Sequence, residues 1–518
     1  MLVKQYNNPI IRGMRPDPSI VRVGKFYYMV NSTFEYYPGI TLARSTDLLN
    51  WETLPSVATK HSQADLTKSK SNEGVFAVCI RYHNDKFYVI TTNFAEFKTF
   101  IITGSLTADG NVSWDDQRIN INVNGIDPDI FFDGNHTYVQ YTGYLESGKK
   151  ALQQVEIELD TGRILDGPKV LTAGTGGRDV EGPHIIKKSD YYYLLAAEGG
   201  TGLGHMITIF RSKNIWGPFE SCPDNPIFTN RDRADEPLQN IGHGDLFQDE
   251  NKNWWLVCLG TRPININFKT FTNTGRETLL YPVDWNSDWP VINKGIPTEV
   301  VDMTEFPEHA KTLQSQDLNE FVDTFENAIL NPEWISLRNS LNDRLTIEPD
   351  NLTLTGSEST LSDIDTPSFL GLRQTEPDET FEIELNADNC QLTDGQIGVA
   401  VTIDSTHFAS LMIRKNKNGH FDLIKTVHVF DLVVEEKIAG INELPKKFSI
   451  INHPSNKEFL VQTVDNENLG FKVAAMHFSN EAISALNTGD MLGIYVLGKD
   501  AKISINKARR FPINREEK

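Results

Sequence analysis

Asp17-Pro-Ser-Ile-Val-Arg-Val-Gly-Lys-Phe-Tyr-Tyr28 begins on an acid, runs through a short apolar stretch, turns, and closes on aromatic residues. The same sentence returns four times, as Ala77-Val-Cys-Ile-Arg-Tyr-His-Asn-Asp-Lys-Phe-Tyr88, Asp127-Pro-Asp-Ile-Phe-Phe-Asp-Gly-Asn-His-Thr-Tyr138, Glu181-Gly-Pro-His-Ile-Ile-Lys-Lys-Ser-Asp-Tyr-Tyr-Tyr193 and His243-Gly-Asp-Leu-Phe-Gln-Asp-Glu-Asn-Lys-Asn-Trp-Trp255. The closing aromatics Tyr28, Tyr88, Tyr138, Tyr193 and Trp255 fall 50 to 62 residues apart. A period of that size, built from hairpin-like strands, marks the blades of a β-propeller, and five copies predict five blades.

The repeat superposes residues that are far apart in the chain, because the first strand of every blade lines the central channel. Asp17, Ala77 and Asp127 stand eleven residues before their closing aromatic, and Glu181 and His243 stand twelve before theirs. Three carboxylates and a histidine are thereby expected around one axis. A scaffold strand needs no acid at this phase, as Ala77 shows. Taken singly, Asp-Pro at a strand start is a common turn cap; phased together, the acids point to chemistry.

Outward from the repeat, turn sequences such as Asp109-Gly-Asn111, Asp133-Gly-Asn135 and Asp160-Thr-Gly162 punctuate the first 300 residues. The aromatic rhythm stops near Asp302. The following segment, containing Glu305-Phe-Pro-Glu-His-Ala-Lys-Thr-Leu313, is polar. From Phe321 the pattern becomes short alternating strands, among them Phe381–Leu385, Gly398–Ile403, Phe408–Ile413, Phe421–Ile424, Phe448–Ile451 and Met491–Val496. Such spacing reads as a β-sandwich. The chain is therefore expected to be all-β: a five-bladed propeller over residues 1–302, a linker over 303–319, and a sandwich over 320–518.

A length of 518 residues fits two domains, and 39% apolar with 10% aromatic residues can fill both. The balance of 49 basic against 70 acidic residues, a formal charge of −21, argues against a nucleic-acid partner and suits a neutral substrate. Cys79, Cys222, Cys258 and Cys390 stand singly, without the paired spacing of a zinc site or a disulfide framework. Cys79 and Cys258 lie in apolar strand patterns and read as buried thiols. No apolar run is long enough for a membrane span, and the first residues carry no signal-like stretch. The expected location is the cytoplasm, with no membrane partner; assembly into a homo-oligomer stays open.

Gly13-Met-Arg-Pro-Asp-Pro-Ser19, Gly125-Ile-Asp-Pro-Asp129, Val180-Glu-Gly-Pro-His184, Gly242-His-Gly-Asp245 and Gly275-Arg-Glu-Thr278 occur in order and in blade register. Together with Phe321-Val-Asp-Thr-Phe-Glu326 and Pro332-Glu-Trp-Ile-Ser-Leu-Arg-Asn339, they make the chain resemble, over essentially its whole length, the family 43 glycoside hydrolases of β-xylosidase type, whose propeller is followed by a concanavalin-like sandwich. The resemblance implies Asp17 as general base, Glu181 as general acid, and Asp127 as the carboxylate that tunes and orients the acid. It implies Arg276 as a contact to the non-reducing-end sugar. Phe34 and Phe76 are candidates for the sugar's apolar walls, with blade core as the other reading. For His243 it leaves two roles open, a place beside a central structural calcium or one in the hydrogen-bond network below the site. No cofactor is otherwise implied. The chain departs from the family's second signature, where Phe76-Ala-Val78 replaces a tryptophan followed by Ala-Pro. That change bears on the substrate rather than on hydrolysis.

The expected activity is exo-acting, inverting release of xylose from short xylooligosaccharides. An α-L-arabinofuranosidase acting on arabinosyl oligosaccharides is the nearest alternative, and a non-catalytic carbohydrate-binding propeller a more distant one. Inverting hydrolysis needs one ionised carboxylate to activate water and one protonated carboxyl group for the leaving oxygen. A third acid can hold the second one protonated.

Overall fold

The computed structural model describes residues 2–317 and 320–513, and its regular structure is almost entirely β. Each copy of the repeat forms the two inner strands of an antiparallel sheet. The first sheet runs Ser19–Val23, Phe26–Asn31, Thr41–Ser45 and Glu52–Leu54. In the second, Val75–His83, Lys86–Asn93 and Lys98–Leu106 are followed by Val112–Trp114, with Ile119–Ile121 also pairing to Lys98–Leu106. The third comprises Gly125–Asp133, His136–Tyr144, Lys150–Glu158 and Arg163–Thr172, and the fourth Glu181–Lys188, Tyr191–Glu198, Met206–Ser212 and Glu220–Ser221. The fifth is Gln239–Gln248, Trp254–Thr261, Glu277–Asp284 and Val291–Ile292. Four of the five inner hairpins close on two-residue turns that contain left-handed residues, namely Gly24, Asn84 with Asp85, Gly134 and Ser189. Their chemistry matches what such hairpins require.

The sheets pack face to face in cyclic order. Val30 and Leu42 of the first meet Ile80 and Val89 of the second; Ile90 of the second meets Val139 of the third; Leu152 of the third meets Leu194 of the fourth. One further core joins Leu195 of the fourth, Leu256 of the fifth and Met29 of the first, which closes the circuit. The first strands touch one another around the same circuit. The N-terminal segment fastens the closure: Gln5–Asn7 pairs with Val300–Asp302, and Tyr6 Oη donates to Leu280 O at 2.7 Å.

The predicted strands of the C-terminal half all form, each within two residues of its expected start and most of them longer at the C-terminal end. Ser368–Arg373, Met491–Leu497, Gln396–Asp404, His407–Lys415, Phe421–Val429 and Leu432–Ile441 make one sheet, in that spatial order. A nine-stranded sheet centred on Ala501–Pro512 and Glu379–Leu385 faces it across a core that includes Trp334, Phe381, Val399, Leu411, Phe448 and Ile503. This is a β-sandwich. The only α-helical turn among the described residues is Asn480–Ile483.

In the segment expected to link the halves, Met303, Phe306, Ala310 and Leu313 pack into the same core as the fourth, fifth and first sheets. Leu318 and Asn319 lie outside the described residues. The two halves are joined by more than this segment. Tyr36–Tyr37 pairs with Ser336–Leu337, Arg15 Nη2 meets Glu333 Oε1 at 2.9 Å, and Arg262 bridges Glu277 and Glu376 at 2.7 and 2.8 Å. A groove of about 1370 Å³ runs between the halves, but its lining includes none of the phased acids.

Candidate active site

The inner strands do not run straight into the centre. Register shifts interrupt their pairing between Val75 and Val78, Ile126 and Asp129, Glu181 and His184, and twice between Gln239 and Asp245. Such bulges re-aim side chains at the end of a strand. Asp17, Asp127 and His243 adopt left-handed φ values of 49°, 51° and 43°, and Gly182 does so at 57°. In the third and fourth sheets the Asp127-Pro and Gly182-Pro signatures thus fall within a bulge. A Cβ on Gly182 would come within 2.9 Å of the His243 ring, so only glycine lets the fourth strand approach that closely.

Asp17 is buried, and its carboxylate is fully engaged. Arg276 Nη1 donates to Oδ1 at 2.9 Å, Ser32 Oγ donates to Oδ2 at 2.6 Å, and His243 Nδ1 lies 3.5 Å from Oδ1. Burial alone would push the Asp17 pKa up; Arg276, His243 and Ser32 outweigh it and hold the group below its ordinary value. Asp17 is ionised at neutral pH. His243 and His205 are both drawn down to about 4, chiefly by burial, and are therefore neutral there.

Glu181 has the opposite character. It is mostly buried, and burial raises its pKa, opposed by Lys150 and reinforced by the charges of Asp179 and Asp17. Lys150 Nζ donates to Glu181 Oε1 and lies 3.2 Å from Asp179 Oδ1. Asp127 is pushed well above the carboxylate range by burial, then by Glu181 and Asp17. The two acids share a site in which a second negative charge is costly, so they titrate as a pair.

Arg276 stands between Thr274-Gly275 and the start of the strand Glu277–Asp284, and its guanidinium carbon lies 5.6 Å from the centre of the Phe34 ring. Phe34 is buried; its ring centre is 5.5 Å from Phe76, which stacks on Phe94 at 4.5 Å and 2°. One aromatic wall therefore runs from Arg276 to Phe94. The sandwich holds the arginine's approach: Asp490 N donates to Asn273 O at 2.8 Å, Asn273 Nδ2 donates to Asp490 Oδ2 at 3.0 Å, and Thr272 N donates to Glu481 Oε2 at 2.7 Å.

Sequence reasoning singled out Asp17, Asp127, Glu181, His243, Arg276, Phe34 and Phe76, and left out Lys150, Asp179, Ser32, His205, Phe94 and Arg81. Lys150 and Phe94 lie on strands or turns away from the phase of the repeat, where no sequence signal marks them. Arg81 had one: it sits in the repeat itself, four residues after the position of Ala77.

His243 faces Asp17, and no cluster of metal-ligating groups among the described residues includes it. The one such cluster is Cys79, Asp129 and His184, whose ligand atoms lie within 4.8 Å of one another. It offers sulfur, nitrogen and a single carboxylate, whereas calcium takes six to eight oxygens. The Arg81 guanidinium already lies in it, 3.1 Å from Asp129 Oδ1 and 3.0 Å from His184 Nδ1. These residues do not fit a calcium ion.

An ionised carboxylate and a protonatable one, set in one buried cage beside an arginine and an aromatic wall, are the equipment of glycoside hydrolysis. Comparison with known proteins agrees. The model for glycosyl hydrolases family 43 matches residues 6–290, and that for the beta xylosidase C-terminal concanavalin A-like domain matches 322–508. The chain belongs to glycosyl hydrolase family 43 and is a glycosidase. It is 33% identical over 96% of its length, and 92% of the relative's, to a non-reducing end alpha-L-arabinofuranosidase of Bacteroides ovatus. To a beta-xylosidase of Bacillus subtilis it is 32% identical over 71% of each chain. Among solved structures, a family 43 protein from the Bacteroides ovatus xyloglucan locus superposes with a TM-score of 0.86 at 29% identity, covering 98% of this chain and all of that one. A Bacillus licheniformis family 43 protein does so at 0.86 and 28%, with the same coverage.

Proposed function

We propose that this glycosidase is exo-acting and inverting, and that it releases xylose from the non-reducing end of short β-1,4-xylooligosaccharides. The five cyclically packed sheets are the blades of a propeller, residues 1–302 its extent, and the sandwich from 320 onward an accessory domain. Asp17 is the general base, Glu181 the general acid, and Asp127 the carboxylate that modulates and orients Glu181. The observation that carries this assignment is the opposite displacement of two acids in one cage: Asp17 is held low by Arg276 and His243, and Glu181 is raised by burial. One fold then supplies a base and an acid at the same pH. Arg276 and Ser32 orient the base, and the Phe34–Phe76–Phe94 wall offers an apolar face for a sugar ring. The near-complete burial of Asp17 and Arg276 suits a site that admits one terminal residue rather than the middle of a long chain.

The relative from Bacteroides ovatus favours a second reading, α-L-arabinofuranosidase activity, because it aligns with both halves of the chain. Parallel rates on nitrophenyl β-D-xylopyranoside and nitrophenyl α-L-arabinofuranoside choose between the two. Xylose release exceeding arabinose release supports the first; the reverse order replaces it. Proton NMR of the earliest product tests the stereochemistry, and retained configuration would overturn the inverting assignment.

A further inference from the structure

Directly beneath the acids lies a second layer of residues, one from each inner strand, and a single side chain joins them. Arg81 Nη1 donates to Asp245 Oδ2 at 2.7 Å, to Ser19 Oγ at 3.2 Å and to Ile80 O at 2.9 Å. Its Nη2 lies 3.2 Å from Asp245 Oδ1, 3.1 Å from Asp129 Oδ1 and 3.0 Å from His184 Nδ1. Ser19, Ile80, Asp129, His184 and Asp245 belong to the first, second, third, fourth and fifth sheets, so one guanidinium touches all five. Ser19 Oγ also donates to Asp245 Oδ2 at 2.7 Å, and Cys79 Sγ donates to Asp129 Oδ1 at 2.7 Å. Asp129 and Asp245 are wholly buried, and among the described residues no other basic side chain except His184 pairs with them.

We propose that Arg81 is the built-in central cation of this protein, doing with a guanidinium what a bound divalent metal would do, and that through this layer it positions the acids above. Two buried carboxylates on the axis require a positive charge. A planar fork of donors meets them bidentately and still reaches the serine and histidine of two other sheets. Each partner is also close in sequence to a catalytic-layer residue: Ser19 follows Asp17 by two residues, and across a bulge Asp129 follows Asp127 by two, His184 follows Glu181 by three, and Asp245 follows His243 by two. The His184 ring packs edge-on against His243 at 5.9 Å, and His243 faces Asp17. Fixing the lower layer therefore fixes where the bulges aim their side chains. Arg81 reaches the reacting atoms only through others and is a positioning residue.

Removal of the guanidinium would leave Asp129, Asp245, His184 and Cys79 around a space on the axis. That set of oxygen, nitrogen and sulfur donors suits zinc. The test uses the full-length protein and three variants, Arg81→Ala, Arg81→Met and Arg81→Lys. Wild type stripped with EDTA should keep its Tm and its kcat/KM, and neither calcium nor zinc chloride should raise its Tm or give heat of binding in calorimetric titration. Arg81→Ala should melt lower than wild type, bind one zinc, and recover part of the lost Tm when zinc is present. Arg81→Met, which fills the space without a charge, should melt lower and bind no zinc. Arg81→Lys, the variant most certain to fold, should lose about 10²-fold in kcat with KM changed far less, the mark of misplaced groups rather than weakened binding. The proposal is overturned if EDTA lowers the wild-type Tm and calcium restores it, if folded Arg81→Ala binds no zinc, or if Arg81→Lys matches wild type in both Tm and kcat. Only the kinetic arm rests on the proposed hydrolysis; the melting and titration arms stand or fall without it.

Discussion

Replacing Arg276 with methionine tests the link between the arginine and the proposed base. The side chain that remains is of similar length and can keep contact with Phe34, but Asp17 loses two donors while staying buried. Removing one member of a buried ion pair costs about 3–5 kcal/mol when the other stays charged. Asp17 can avoid part of that cost by taking a proton, because burial, no longer opposed by Arg276 and countered less by His243, Ser32 and His205, raises its pKa. In wild type the depressed Asp17 contributes stability above its unfolded pKa, and that contribution is lost as pH falls through the lower, folded one. In Arg276→Met the depression is gone, so the penalty is largest near neutral pH and shrinks toward acid. The acid limb of kcat/KM, which reports ionisation of the base, moves to higher pH, and the rate at neutral pH falls by about 10²–10⁴. The assay is urea denaturation and the pH–rate profile of Arg276→Met in two backgrounds, native Asp17 and Asp17→Asn. With asparagine no charge is left stranded, so most of the arginine's stability penalty should vanish. An equal penalty in both backgrounds, or an unmoved acid limb, would refute the coupling.

Glu181→Ala should be strongly impaired on glycosides with poor leaving groups and far less on activated aryl glycosides, measured as kcat across a leaving-group series; equal loss throughout would remove Glu181 from the acid's role. Lys150→Met removes the cation that opposes the raised pKa of Glu181, so the alkaline limb of kcat/KM should move to higher pH. Asp127→Asn takes away the second carboxyl group with which Glu181 titrates, so Glu181 no longer competes for a shared charge and the alkaline limb should move the other way, with a fall in rate as Glu181 loses a neighbour that orients it. Asp490→Ala breaks the tie between the sandwich and Asn273 and strands buried Lys457, whose Nζ lies 2.7 Å from Asp490 Oδ2. A loss of about 3–5 kcal/mol by urea denaturation is expected, with a drop in kcat/KM from the displaced Arg276 approach.

Much of this molecule was legible in order along the chain because β-structure writes itself locally. The hairpin turns at Asn84-Asp85 and Gly134, the alternation in Phe381–Leu385, and the five spaced aromatics each report a neighbour only a few residues away. The phased acids were legible for the same reason: a repeat makes sequence position a proxy for spatial position. Asp17, Asp127 and Glu181 could be named together although most of the N-terminal half separates them.

What the repeat could not reveal were partners that lie outside its phase. Lys150 reaches Glu181 from the third strand of a neighbouring sheet, and Phe94 meets Phe76 from the end of a second strand. Whether the sandwich touches the site was equally hidden, since the Asn273–Asp490 tie spans 217 residues of chain. The charge states were decided last of all. An aspartate and a glutamate have nearly the same ordinary pKa, and nothing in their own sequence separates a base from an acid. The repeat determined which residues are expected at the axis; only the packed structure shows why their charge states separate, with Asp17 held low beside Arg276 and both Glu181 and Asp127 raised by burial.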